Sequence, residues 1–311
     1  MATLNPQVAS ALTGYVEDKA FPLLTKAVLG AKSAKLFNVI TGIKGPTRMT
    51  SMDTDIVFGD GSVCGWNEAG DTNFSARELV PARLQVQKAF CSKNLYDTWM
   101  QVELKTAAGE NPMPFNEQWT SLITEKVADA IEKMIYVGDS TNTGQTEFDG
   151  LIKTLSGSTA VAVEAATGST AFEFVKNVYM SIPETEVNKP DTAILISDGL
   201  FRQYIQDLIT ANLYHAQATG STDNAMEYTL PGTAVRVIAV PGLNGASEDY
   251  EFAIAGRLSN IYYGCDLMGD EENFDLWYSK DDGGVWKLQI NAIVGTNVAF
   301  PDLCVFGTLP K

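Results

Sequence analysis

The chain has 311 residues, 45% of them hydrophobic and 10% aromatic, which suits one large packed domain or two ordinary ones and excludes a disordered tail. No run reaches the ~20 consecutive apolar residues of a membrane helix, and residues 1–6 have neither the basic start nor the apolar core of a secretory signal. The net charge is −16, with six Lys or Arg against Glu17 and Asp18 in residues 1–50, so the acidic remainder repels phosphate and excludes a sequence-reading nucleic-acid binder.

Residues 6–30 place Val8, Leu12, Tyr15 and Val16, then Leu23, Leu24, Ala27 and Val28, at helical spacing around a break at Phe21 and Pro22. They read as a helical arm, basic overall, that ends where Gly42, Gly45 and Pro46 mark a boundary. From 48 to 92, two strand-like runs (49–58 and 79–90) flank a polar middle with four glycines. In the second run Leu84 and Val86 alternate with Gln85 and Gln87. A two-stranded ribbon of this length buries little of itself and is marginal in water, so it needs support from outside its own domain.

Residues 116–137 read as one long amphipathic helix. Trp119, Leu122, Ile123, Val127, Ala130, Ile131, Met134 and Ile135 share a stripe, Asn116 is placed to cap the start and Gly138 to stop the end. Asp129 and Lys133 are one turn apart, at ion-pair spacing. After a polar loop, short helices and strands alternate. Phe172, Val175, Val178 and Tyr179 mark a helix, 192–197 a buried strand, and Asp198 the cap of a helix bearing Leu200, Tyr204, Ile205, Leu208 and Ile209. Residues 235–240, 250–255, 274–278, 285–293 and 303–306 read as strands, with Asp281-Asp282-Gly283-Gly284 as a turn.

Reactive chemistry is sparse. Cys64, Cys91, Cys265 and Cys304 form no C-x-x-C pair, which disfavours a zinc site or disulfide framework and predicts reduced, mostly buried thiols. His215 stands alone, which removes paired-histidine metal motifs and most histidine-dependent triads. The loop 139–150 resembles a calcium loop at its first, third, fifth and sixth places, but Gly150 stands where a bidentate glutamate is needed. Carboxylate pairs such as Glu184/Glu186 and Glu271/Glu272 are expected by chance among 38 acidic residues. No catalytic, cofactor-binding or metal-ligating residue is therefore expected.

The order of elements carries a resemblance. Arm, ribbon, long helix, glycine loop and mixed domain, with Tyr136-Val137-Gly138-Asp139 then Phe148-Asp149-Gly150-Leu151-Ile152, resemble tailed-bacteriophage major capsid proteins of the Hong Kong 97-type fold. So do Leu230-Pro231-Gly232-Thr233-Ala234-Val235-Arg236-Val237 with Pro241-Gly242, and the run from Tyr250 through Tyr263, a strand with a small helical tail. The resemblance implies an α+β fold divided into an N-terminal arm (1–47), an extended two-stranded loop (48–92), a peripheral domain with its spine helix (93–165) and a mixed α/β axial domain (166–311). The final strands, 270–311, would partly return to the peripheral domain.

The function so implied is a non-enzymatic coat subunit that assembles with itself into pentamers and hexamers of an icosahedral head around double-stranded DNA. It would be built in a host cytoplasm and end in the virion. Expected partners are further copies, a separate scaffolding protein, a portal and a decoration protein, with no membrane, no sequence-specific DNA contact and no cofactor. Some family members join loop lysine to a neighbour's asparagine, but residues 49–76 contain no lysine, so non-covalent stabilisation is expected. The loop contacts would be Trp66, Glu68, Asp71, Phe74, Arg77 and Arg83, and the arm contacts Lys26, Lys32, Lys35 and Phe37. With its arm starting at Met1, the chain is expected to stay uncleaved. An encapsulin-like compartment shell, an acidic β-rich fibre or adhesin module, and a carboxylate-based hydrolase are the alternatives.

Overall fold

The computed structural model describes residues 31–58, 62, 70–91, 115–142, 147–211, 226–266, 274–279 and 285–311. The helical arm expected over 6–30, the glycine turn at 281–284 and His215 lie outside the described residues.

Two sheets organise the chain. The larger holds six strands in the order β5 (Val161–Glu164), β13 (Val305–Pro310), β9 (Tyr250–Arg257), β6 (Thr192–Ile196), β8 (Arg236–Ala239) and β7 (Glu227–Thr229). β6 is buried at every position, and its pleat divides its side chains between two cores. Ala193 and Leu195 join one apolar cluster, while Ile194 and Ile196 join the other. α3 (Ala171–Met180) and α5 (Asp198–Thr210) close that second cluster, burying Phe174, Val178, Leu200 and Tyr204. Thr170 and Glu173 form a reciprocal capping box at the start of α3. The cap of α5 is Ser197, not Asp198: the Ser197 hydroxyl accepts from Leu200 N at 3.1 Å, and Asp198 is the first helical residue.

The second sheet is built on β12 (Val285–Val298), which pairs with β4 (Ala82–Cys91) along 285–294, with β11 (Phe274–Ser279) along 285–290 and with β10 (Ile261–Cys265) along 294–298. β1 (Asn38–Thr41) adds to β10 in parallel, which stitches the chain just past the arm into the body. A single 3₁₀ turn, Leu258–Asn260, separates β9 from β10 and so connects the two sheets. α1 (Phe115–Val137) and α2 (Leu151–Ser156) pack against the first cluster through Ile131, Ile135, Tyr136, Leu151 and Leu155.

The ribbon differs from the sequence expectation in its pairing. β2 (Thr47–Thr54) pairs with β3 (Thr72–Leu79), not with the 79–90 run, which is β4 in the second sheet. β3 is polar and unalternating because most of it packs on nothing, and that hid it within the polar middle. Asp129, for its part, faces Lys126 at 3.9 Å instead of Lys133.

Candidate functional site

Among the described residues, the ribbon packs on the body at its root. Alternate residues along β2 and β3 face opposite sides, and on one side Met49 and Leu79 join Ile43 in a small buried cluster. On the other side the cross-strand pair Met52 and Phe74 is 62% and 71% exposed, and beyond it Phe58 is 95% exposed. The strands stay joined at their outer end, where Asp55 N donates to Asp71 O at 2.9 Å. Gly70, at φ +93°, permits that crossing, because a Cβ there would sit 2.2 Å from the Asp55 carbonyl oxygen. Asp71 is exposed, as is Asp55 beside it. Arg77 faces the body from the root, half-buried with its Nη1 enclosed, and Trp66 and Glu68 lie outside the described residues.

A second unpaired surface lies between α1 and β4. The helix buries an arc comprising Thr120, Thr124, Val127, Ala128, Ile131, Glu132, Ile135 and Tyr136, which overlaps its apolar stripe but is not centred on it. Leu122, 56% exposed, with Ile123, Ala130 and Met134, instead lines an open groove of about 900 Å³ whose other wall is Leu84, Val86 and Ala89. Among the described residues lining it, Arg83, Lys88 and Lys126 are exposed cations and Glu147 is the carboxylate. Of the loop contacts expected from sequence, Arg83 belongs to this groove, not to the ribbon. Lys88, Lys126 and Leu122 were not singled out for it. The available signal was the width of the apolar arc on α1, which exceeds what one packed face needs.

The residues after the arm are fixed internally. Phe37 is 6% exposed and meets Tyr136 edge-on at 6.4 Å, which places it in the chain's own core and leaves no surface for a neighbour. Lys32 Nζ donates to Ala239 O at 2.7 Å, Lys35 is exposed, and Lys26 is outside the described residues. Next to them sits a buried carboxylate. Glu132 accepts from Ser33 N at 2.9 Å and from Ser33 Oγ at 2.6 Å, and from the Gly242 amide, while Ser33 Oγ shares a 2.6 Å hydrogen bond with Tyr136 Oη. Burial raises the Glu132 pKa, opposed by those donors and by the Lys32 ammonium; burial and the Glu132 charge raise that of Tyr136.

Two further charged clusters among the described residues pair internally. Lys153 reaches Asp139 and Asp149 at 2.6 Å each. Its hydrogen bond, aided by Thr141, lowers the Asp139 pKa to about 2; at Asp149 partial burial works the other way but is outweighed by Lys153 and Ser140. This lysine thus takes two of the carboxylates of the calcium-like loop. Asp191 holds Arg257 Nε at 3.1 Å and accepts from Ser259. Cys265 and Cys304 are free and buried, which pushes their thiols up to about 11 and about 12. Among the described residues, no group of three or more His, Cys, Asp or Glu is placed to hold a metal.

No family model matches the chain, and no curated protein matches it. Solved structures do, over nearly its whole length. A structure from Mycobacterium phage Ogopogo aligns with TM-score 0.58 at 11% identity, covering 90% of this chain and 92% of that one. The procapsid of satellite phage P4, which includes the size-determination protein Sid, aligns with TM-score 0.56 at 8% identity over 93% and 97%. The SrpI encapsulin of Synechococcus elongatus aligns with TM-score 0.52 at 9% identity over 88% and 85%. The chain thus has the α+β, Hong Kong 97-type fold of tailed-phage capsid structures.

Proposed function

We infer that the chain is a shell subunit and not an enzyme: the major capsid protein of a tailed bacteriophage, assembling through pentamers and hexamers into an icosahedral head around double-stranded DNA. The observation that carries this is a ribbon rooted on the body with Met52, Phe74 and Phe58 open to solvent, on a chain with the shell fold. Contiguous exposed apolar residues mark interaction surfaces, and closed shells need repeated head-to-tail contacts of this kind. The ribbon contacts are Phe74 and Asp71, with Trp66 and Glu68 assigned to its tip and Lys26 and Lys35 to the arm. Arg83 receives a neighbour and does not reach out to one. An acidic body suits a DNA container, since tight phosphate binding through counterion release would hinder packaging and ejection. Scaffolding, portal and decoration proteins belong to the same reading.

Electron microscopy of the expressed full chain tests it: shells or hexagonal sheets are expected, and dispersed monomers at high concentration would overturn it. A compartment shell is the second reading, favoured by the encapsulin's shared fold. Particles from the cells that make the chain decide between them. Nuclease-protected double-stranded DNA supports the phage head, and enclosed protein supports the compartment.

A further inference from the structure

We propose that the cavity beside the Leu258–Asn260 turn, where the two sheets join, is a binding site for a primary ammonium group, with Glu186 as its counter-charge. The cavity measures about 140 Å³, and Glu186, Arg257, Asn260, Tyr262 and Phe300 are among the residues that line it. Glu186 sits on α4 (Glu184–Val187), a single helical turn, and is only 6% exposed. Its Oε2 is enclosed and accepts no hydrogen bond. Arg257 Nε lies 3.7 Å from that oxygen, too far for a hydrogen bond. The same nitrogen is held at 3.1 Å by Asp191, which also accepts from Ser259. Two carboxylates thus share one guanidinium, and the buried one is left without a full partner, which is costly.

Size and donor set select the occupant. A water takes about 30 Å³ of the liquid, so the cavity suits an ammonium on a short alkyl stem and is too small for a nucleotide. The Glu186 carboxylate repels an anion. A divalent ion asks for about six oxygens, and the neighbouring groups are already engaged. Asp191 is taken by Arg257 and Ser259, and the Asn260 side chain exchanges hydrogen bonds with Phe300 O and N at 2.7 and 2.9 Å. An ammonium asks for less. It is a compact charge whose N–H groups bond a carboxylate strongly, and aromatic residues such as Tyr262 and Phe300 favour a cation beside their rings. A free alkylamine and a lysine from another copy present the same group, and the test separates them.

The closing experiment titrates propylammonium chloride into the full chain at constant ionic strength and follows saturation transferred from the protein to the methyl protons of the amine. Affinity is expected to fall about tenfold in Glu186→Gln, the loss of one charge-assisted hydrogen bond. Tetramethylammonium, which has no N–H, is expected to bind the wild type about tenfold more weakly for the same reason. Equal affinity in either comparison, or no transfer at all, overturns the proposal. A second variant covers a Glu186→Gln chain that does not fold. Ala299→Lys puts an ammonium on the wall of the cavity itself, and it is expected to abolish the transfer and to melt higher than Ala299→Met. A melting point no higher than that of Ala299→Met overturns the proposal. Transfer that persists in assembled particles identifies a free amine as the occupant, and transfer seen only after dissociation identifies a lysine of another copy. Absence of binding in a chain that forms shells sinks this inference alone, whereas a chain that binds the amine and never assembles sinks only the shell reading.

Discussion

Glu132 shows how one buried carboxylate ties together three distant pieces of chain. Its oxygens take the Ser33 amide and hydroxyl and the Gly242 amide, so the strap after the arm, the long helix and the turn after β8 share one acceptor. Glu132→Ala leaves two buried amides without an acceptor and is expected to cost about 3 kcal/mol in urea unfolding. Glu132→Gln keeps an acceptor for the Ser33 amide, and the Ser33 hydroxyl can turn its proton to Tyr136 to accept from the new amide, so little loss is expected. The raised pKa fixes the sign of the pH effect. The folded chain binds this proton more tightly than the unfolded one, so the Glu132 contribution grows as pH falls through the folded pKa and levels off below the ordinary glutamate value. Wild-type minus Glu132→Gln stability, measured from pH 7 down to pH 4, is expected to rise toward acid. A flat difference would mean the burial cost is already met by the donors and Lys32. The glycines around the same helix end are equally specific. A Cβ on Gly150 would lie 2.6 Å from Tyr136 O and one on Gly138 2.4 Å from Phe148 O, while one on Gly45 meets nothing within 4 Å. Gly150→Ala is expected to lose about 1–3 kcal/mol and Gly45→Ala almost nothing, as read by thermal midpoints.

At the scale of elements, the ribbon separates folding from assembly. Met52 and Phe74 contribute little to the body, so replacing both with serine is expected to change unfolding free energy by less than about 0.5 kcal/mol. The same double variant is expected to abolish shells in electron micrographs, and normal shells from it would show the exposed pair to be incidental. The ribbon also shows where sequence patterns stop being legible. β6 and β12 were readable because burial selects for apolar residues: β6 is buried at all five positions, and β12 alternates over 285–290. β3 was not, since a strand open to solvent keeps Thr, Asn, Ser and Glu, and nothing in that composition differs from a loop. α1 is legible almost to the residue, but its buried face only in part: Val127, Ile131 and Ile135 of the apolar stripe are buried, and Leu122 and Ala130 are not. Thr124 and Glu132 take core positions because their side chains are hydrogen-bonded there, and Leu122 is displaced to the groove. The site was half visible for the same reason. Phe74 and Asp71, expected as ribbon contacts, are exposed on and beside β3, while the cations around α1 look like any solvated helix surface.

At the scale of the whole molecule, the two sheets and the ribbon divide the chain into a packed body and an exposed extension. The six-stranded sheet feeds both cores from alternate faces of β6, so the body buries its apolar residues within one copy. On the shell-subunit reading, the exposed ribbon contributes only when copies meet. Each contact is then an ordinary interface, and the strength of the container comes from closing many of them at once. A covalent seal would need a nucleophile on the reaching segment, and the natural one is a lysine amine. Residues 49–76 contain no lysine, and the aspartates beside the apolar pair, Asp55 and Asp71, offer charge but no amine. Shells boiled in detergent are therefore expected to run as a single band of intact chain, and denaturant is expected to return them to monomers without proteolysis. A ladder of cross-linked species would overturn this. It would also move the reactive lysine outside the ribbon, for which the exposed Lys35, Lys88 and Lys126 are the first positions to replace with arginine.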